Sequence, residues 1–150
     1  MPIARQYCTF FLDKLLFGIE SQRIQEVIRY LELTEVPLAP PTVRGLMNLR
    51  GQIVVAIDLR RRLCLPDRAS GVAPMCVVVR TPDGSVSLLV DDIGDVVEVN
   101  EETFEPPPET LQGDLRQSIV GVHKLERQLM HVLDADRVCA VNEMVERKAG

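Results

Sequence analysis

The chain has 150 residues and a net charge of −5, with 46% hydrophobic and 26% charged residues. That balance describes a folded globular protein and excludes a disordered one. The acidic total supplies no field for nucleic acid, and two tyrosines without a tryptophan leave few platforms for stacking bases. No apolar run approaches the roughly 18 residues of a membrane helix, and the start, MPIARQYCTFF, has no signal-peptide core. A cytoplasmic protein without direct membrane insertion is expected.

Short apolar runs separated by turn residues dominate the chain, the pattern of a β-barrel or sandwich. Tyr7 to Leu12 and Leu15 to Ile19 form strands around an Asp13-Lys14 turn. Ser21 is placed to cap a short helix through about Val27, with Ile24 and Val27 on one side. Ile28 to Val36 reads as a strand ending at Pro37, and the prolines to Pro41 form a bend that a sheet interior excludes. Gly45 to Leu49 and Gln52 to Ile57 make a hairpin around Arg50-Gly51, and Asp58 caps a helical turn from Leu59 to Leu63. After a loop, Met75 to Arg80 and Ser85 to Val90 flank the turn Pro82-Asp83-Gly84. Val96 to Val99 is a further strand, and Glu105 to Glu109 an extended, proline-stiffened connector. Ile119 to Leu125 and Gln128 to Leu133 make the last hairpin. Asp134 then caps a helix with Val138, Val141 and Val145 on one face.

The chain repeats itself. Leu49, Gln52, Ile57 and Asp58 return as Leu125, Gln128, Leu133 and Asp134, and earlier runs echo in the same order: Tyr7 with Met75, Ile19 with Val90, Glu26 with Glu98. A duplicated unit of hairpin, crossover and hairpin follows. Each unit supplies about five strands, enough for a small closed barrel, and two barrels share an apolar interface that one alone lacks.

Chemistry-bearing clusters are sparse. His123 and His131 lie on the two strands of the last hairpin, without a metal-ligand motif beside them, and read as polar residues on its outer face. Asp91, Asp92 and Asp95 do not follow the alternation of a calcium loop and read as surface turn acids. Arg60-Arg61-Arg62 reads as a solvated face. Cys8, Cys64, Cys76 and Cys139 have no metal or CxxC spacing and are expected as buried, reduced thiols. No nucleotide-binding glycine motif is present. No catalytic residue, no cofactor and no metal are expected, and an enzyme is the least favoured class.

The segment from Pro37 to Leu63, PLAPPTVRGLMNLRGQIVVAIDLRRRL, resembles the signature of the CheW family of chemotaxis coupling proteins. Phe17-Gly-Ile-Glu with Ile24-Gln-Glu-Val lies upstream. Leu89-Val-Asp-Asp-Ile-Gly-Asp-Val and Ile119-Val-Gly-Val-His-Lys-Leu follow downstream. The resemblance implies an all-β fold of two SH3-like five-stranded barrels in one domain, residues 1–142, with a tail over 143–150. It also implies that segments from the two chain ends combine in one barrel. The implied function is a non-enzymatic adaptor joining the cytoplasmic helical tip of a chemoreceptor to the CheW-like regulatory domain of a histidine kinase. An adaptor for pilus motility or gene regulation is the alternative. Arg50 matches the motif arginine and Glu26 the upstream acid, a candidate partner for its guanidinium. Gly45 and Asn48 match positions at the receptor-facing turn, where glycine permits a positive φ or close approach of a partner backbone. Ile24 and Val27 would add apolar contact. Val90, Val96 and Val99 either line the groove between barrels or pack in the core.

Overall fold

A computed structural model describes residues 4–69 and 71–140. Ten strands carry the fold: β1 (Ala4–Leu12), β2 (Leu15–Glu20), β3 (Ile24–Arg29), β4 (Val43–Leu49), β5 (Gln52–Asp58), β6 (Met75–Thr81), β7 (Gly84–Val90), β8 (Asp92–Asn100), β9 (Ile119–Lys124) and β10 (Leu129–Leu133). Three short helices join them: α1 (Leu59–Arg62), α2 (Gly113–Ser118) and α3 (Ala135–Val138). Asp58 and Asp134 cap α1 and α3 as their sequence positions imply, accepting from the backbone N–H of Arg60 and Arg137. Val141 and Val145 lie outside the described residues.

The strands form two five-stranded sheets. A terminal sheet, ordered β8-β1-β2-β10-β9, gathers both chain ends, and a central sheet is ordered β3-β6-β7-β5-β4. Replacing each strand of one unit by its counterpart in the other converts one order into the other. Each sheet therefore takes its leading hairpin from one repeat and its crossover strand and final hairpin from the other. The two parallel contacts, β2 with β10 and β7 with β5, are counterparts as well. Bridges near the far edges match too: Thr34 pairs with Leu46, and Glu105 with Val122. Even the backbone bond from Asp58 N to Thr42 O has its equal from Asp134 N to Ser118 O, both 2.8 Å. Two echoes are displaced. Cys8 pairs with Ile19 as Cys76 pairs with Leu89, so Ile19 answers to Leu89 and not to Val90. Ile28 pairs with Cys76 as Val96 pairs with Cys8, so β3 and β8 stand 68 residues apart and Glu26 is not the counterpart of Glu98.

Alternation along the strands sorts the apolar residues into three clusters. Met47, Leu49, Val54, Ala56, Cys76, Val78 and Leu89 fill the central sheet, and Tyr7, Leu16, Met130 and Val132 the terminal sheet. The largest cluster draws Phe10, Phe17 and Ile19 from one sheet against Val77, Val79 and Leu88 from the other. This is the shared interface between the two halves. Each of its fully buried aromatic and leucine side chains contributes about 2–3 kcal/mol of hydrophobic stabilisation.

Several local expectations differ. The helix expected from Ser21 shrinks to a single 3₁₀ turn, Ser21–Arg23, with no side-chain cap, and Ile24–Arg29 becomes β3. Ile24, Val27 and Ile28 suit a β-branched strand as well as a helix face, and pairing with β6 decides between them. The strand expected over Ile28 to Val36 accordingly ends at Arg29, with only Thr34 bridging beyond it. Helix α2 answers to no sequence signal noted above. His123 and His131 are buried rather than on an outer face. Arg62 is buried and donates to the Arg137 carbonyl at 2.9 Å, so the arginine triplet is not a solvated face. Asp91 is no free surface acid. It accepts from Asp13 N at 2.9 Å, from Arg60 Nε at 2.9 Å and from Arg68 Nε at 3.1 Å. None of the four cysteines is in a disulfide. Cys76 and Cys139 are buried, Cys8 is partly covered, and Cys64 is exposed at a positive φ just after α1.

Candidate functional site

The β4–β5 hairpin presents its tip through a two-residue turn, Arg50-Gly51, in which both residues have positive φ (51° and 86°). That geometry matches the right-handed twist of the flanking strands, and glycine takes the second position without a Cβ penalty. Asn48 Oδ1 accepts from Gly51 N at 2.8 Å and fixes the turn from below. Arg50 is thereby aimed across the sheet end at Glu26 on β3. The guanidinium nitrogens donate to both carboxylate oxygens over 2.5–3.0 Å. The acid is largely covered, at 21% side-chain exposure, while the arginine is 66% exposed. A planar fork held this way at a rigid turn offers its remaining N–H donors to a partner in a fixed direction.

Apolar area flanks the pair. Val27 lies on the opposite face of β3 from Glu26 and is 38% exposed. Ile53, opposite Asn48 in the hairpin ladder, is 61% exposed. Sequence reading passed over Ile53, although its place just past the turn, before the buried alternation of β5 begins, marks it as a rim residue. A cleft of about 470 Å³ beside Ile53 runs between β5, the β6–β7 hairpin and Cys139-Ala140 beyond α3. Ile24 is half-buried and packs against the shared core.

Gly45 has a different role from contact. Its φ is +152°, and a Cβ there would come within 2.6 Å of the Thr34 carbonyl. The backbone that approaches is the chain's own, forming the Thr34–Leu46 bridge. Gly121, its counterpart, gives the same clearance to Glu105, whose carbonyl oxygen a Cβ would meet at 2.7 Å. Val90 is fully buried in the shared core, so it lines no groove. Val99 packs inside the terminal sheet, and Val96 is exposed on that sheet's β8 edge. The structure thus gathers Glu26, Val27, Asn48 and Arg50 at one end of the central sheet and leaves Val90, Val96 and Val99 elsewhere.

Both histidines are engaged through Nδ1. His131 Nδ1 bonds the Leu16 carbonyl at 2.9 Å, and His123 Nδ1 bonds Thr103 Oγ1 at 3.1 Å, each ring packed against aromatics. Burial lowers the His123 pKa and pushes the Cys139 thiol up to about 12, which keeps both neutral.

Known proteins resemble this chain in sequence and fold. The chain is 31% identical over 129 residues to the chemotaxis protein CheW of Bacillus subtilis, covering 86% of this chain and 83% of that protein. It is 28% identical over 143 residues to CheW of Treponema pallidum, covering 93% and 84%. The crystal structure of the scaffolding protein TtCheW from Thermoanaerobacter tengcongensis superposes with a TM-score of 0.83 at 26% identity, covering 95% of both chains. A family model described as the CheW-like domain matches residues 6–143, a span that includes the Arg50 hairpin of the central sheet. The match spans most of the chain and the fold is shared, and this chain belongs to the CheW-like domain family.

Proposed function

We propose that the chain is a non-enzymatic chemotaxis adaptor that couples the cytoplasmic helical tip of a chemoreceptor to the regulatory domain of a histidine kinase. The Arg50–Glu26 fork carries this reading: an exposed, bidentate charge pair on a rigid turn, bordered by exposed Val27 and Ile53. Such an arrangement suits a partner helix that brings apolar side chains onto the rim and a carboxylate or amide to the guanidinium. Glu26 orients the arginine and Asn48 shapes the turn, so both act through Arg50. The buried histidines, engaged in structural hydrogen bonds, agree with a scaffold and not with an enzyme.

The test is binding of a receptor cytoplasmic fragment and of a histidine kinase to Arg50→Ala and Arg50→Glu variants. Receptor affinity is expected to fall about tenfold with Ala and further with Glu, which repels Glu26. The fold is expected to persist, because an exposed ion pair contributes only about 0.2–1 kcal/mol. Unchanged receptor binding in both variants would remove Arg50 from the interface.

A further inference from the structure

The terminal sheet keeps a polar group in its core that the central sheet does without. His123 on β9 is 1% exposed, and the rings of Phe104 and Tyr7 pack against it with centroids at 5.1 and 5.8 Å. Its tautomer follows from the Thr103 hydroxyl. Thr103 Oγ1 donates its one proton to the Asn100 carbonyl at 2.8 Å, so at its 3.1 Å contact with His123 Nδ1 it accepts. A neutral ring protonated at Nδ1 leaves Nε2 a bare acceptor, and Nε2 is buried with no hydrogen-bond partner. An orphan of this kind costs about 1–3 kcal/mol.

The other repeat shows that the fold does not demand it. Met130 stands opposite His123 as Val54 stands opposite Met47, so His123 takes the place that Met47 fills in the apolar cluster of the central sheet. Phe104 precedes the Glu105 bridge as Leu33 precedes the Thr34 bridge. Strands β4 and β9 also share a bulge. Arg44 is the extra residue between the pairs Val43–Ile57 and Gly45–Ala56, and Val120 the extra residue between Ile119–Leu133 and Gly121–Val132. In the second repeat Phe104, Val120, His123 and Val132 line a cavity of about 230 Å³. That is several times the roughly 30 Å³ of one water, and less than the roughly 300–1,000 Å³ of a site for drug-sized ligands. Its charged lining is Arg5, Glu20 and Glu101. Arg5 pairs with both acids, through Nη1 with Glu20 at 2.6 Å and through Nε with Glu101, which leaves one negative charge in excess.

We propose that this cavity binds a small primary amine. Its ammonium donates an N–H to His123 Nε2 and faces Glu101, while its hydrocarbon part packs against Val120 and Val132. The ring faces of Tyr7 and Phe104 favour the cation further. Phe104, at 42% exposure, is the ring that turns aside to admit it. The full chain, labelled with heavy nitrogen, is titrated with butylamine hydrochloride at constant neutral pH, and the imidazole nitrogens are followed by NMR. The His123 Nε2 resonance is expected to move saturably, while the ring of His131, held to the Leu16 carbonyl, stays in place. Butanol, which lacks the charge, and tetramethylammonium, which lacks an N–H, should bind about tenfold more weakly or worse. Glu101→Gln should weaken butylamine about tenfold and keep the fold, because its pair with Arg5 is partly exposed. His123→Met, which installs the residue of the other repeat, should abolish binding by calorimetry without lowering the thermal midpoint. An Nε2 resonance that does not move, or moves without saturating, marks a cavity that holds water alone and overturns the proposal. Equal binding of butanol or tetramethylammonium, or butylamine binding undiminished in Glu101→Gln or in His123→Met, overturns it likewise.

Discussion

Burial lowers the pKa of the His123 imidazole, and the nearby Glu101 carboxylate offsets only part of that effect. The ring lines a cavity of about 230 Å³ with Arg5, Tyr7, Glu20 and Glu101, and its Nε2 has no hydrogen-bond partner. The unfolded chain titrates this histidine near 6.5, above the native value. Just below that pH the unfolded state binds more protons than the native state. The stability held by the neutral ring is therefore complete above about 6.5 and is lost as the pH falls toward the native pKa. In His123→Gln, the fall in unfolding free energy between about pH 7 and 5 should be shallower than in the parent, measured by urea denaturation. An equal slope would show that His123 does not titrate differently on folding. Asp91 acts in the same direction at lower pH. Burial raises its pKa, but hydrogen bonds from Arg60 and Asp13 N and the charges of Arg60 and Arg68 outweigh that and leave it below the ordinary carboxylate value. Its contribution is thus lost only as the solution becomes strongly acidic.

Among the elements, the bulged strand β4 is the most constrained. It must carry Arg44 outward, pass Thr34 at close range and deliver Arg50 to the hairpin tip. Gly45 makes the middle step possible. Gly45→Ala adds a Cβ against the Thr34 carbonyl at an unfavourable φ, and a cost of about 2–4 kcal/mol is expected. Gly51→Ala meets no atom within 4 Å and faces only its φ of +86°, so about 1 kcal/mol is expected. Urea midpoints of the two variants check the order, and a Gly51 effect as large as that of Gly45 would show that the Thr34 bridge contributes little. Much of this element was legible in advance. Arg-Gly between two apolar runs is a turn signal that acts over four residues, and the pairing of Arg50 with Glu26 followed from opposite charge at matching motif positions. The identity of β3 was not legible, because Ile24, Val27 and Ile28 satisfy both periodicities and only the partner strand β6 selects one.

At the scale of the molecule, the exchange of strands between repeats makes the two sheets interdependent. Neither repeat owns a complete sheet, and the largest apolar cluster lies between the sheets and not within either. Unfolding should therefore be a single cooperative event, with calorimetric and van't Hoff enthalpies in agreement. Leu88→Ala, at the centre of the shared cluster, should cost about 2–5 kcal/mol and shift that one transition without splitting it. Two resolved transitions by scanning calorimetry would show that the sheets fold separately.

The sequence by itself determined the features that are local or repeated: strand hairpins, turns, the two aspartate caps, and the duplication whose spacing of 76 links Asp58 with Asp134. These depend on backbone preferences and side-chain periodicity within a few residues of each other. Only the tertiary structure decided which charges are satisfied and which surfaces stay open. Asp91 meets Arg60 from 31 residues away, His131 meets the Leu16 carbonyl from 115, and Val90 is sealed by strands of the opposite sheet. Burial and pairing of this kind are set when distant segments meet. A charged run that looks solvated can therefore become an internal strut, while Arg44, the extra residue of the bulge beside the motif glycine, is left partly exposed at 3.7 Å from Asp58.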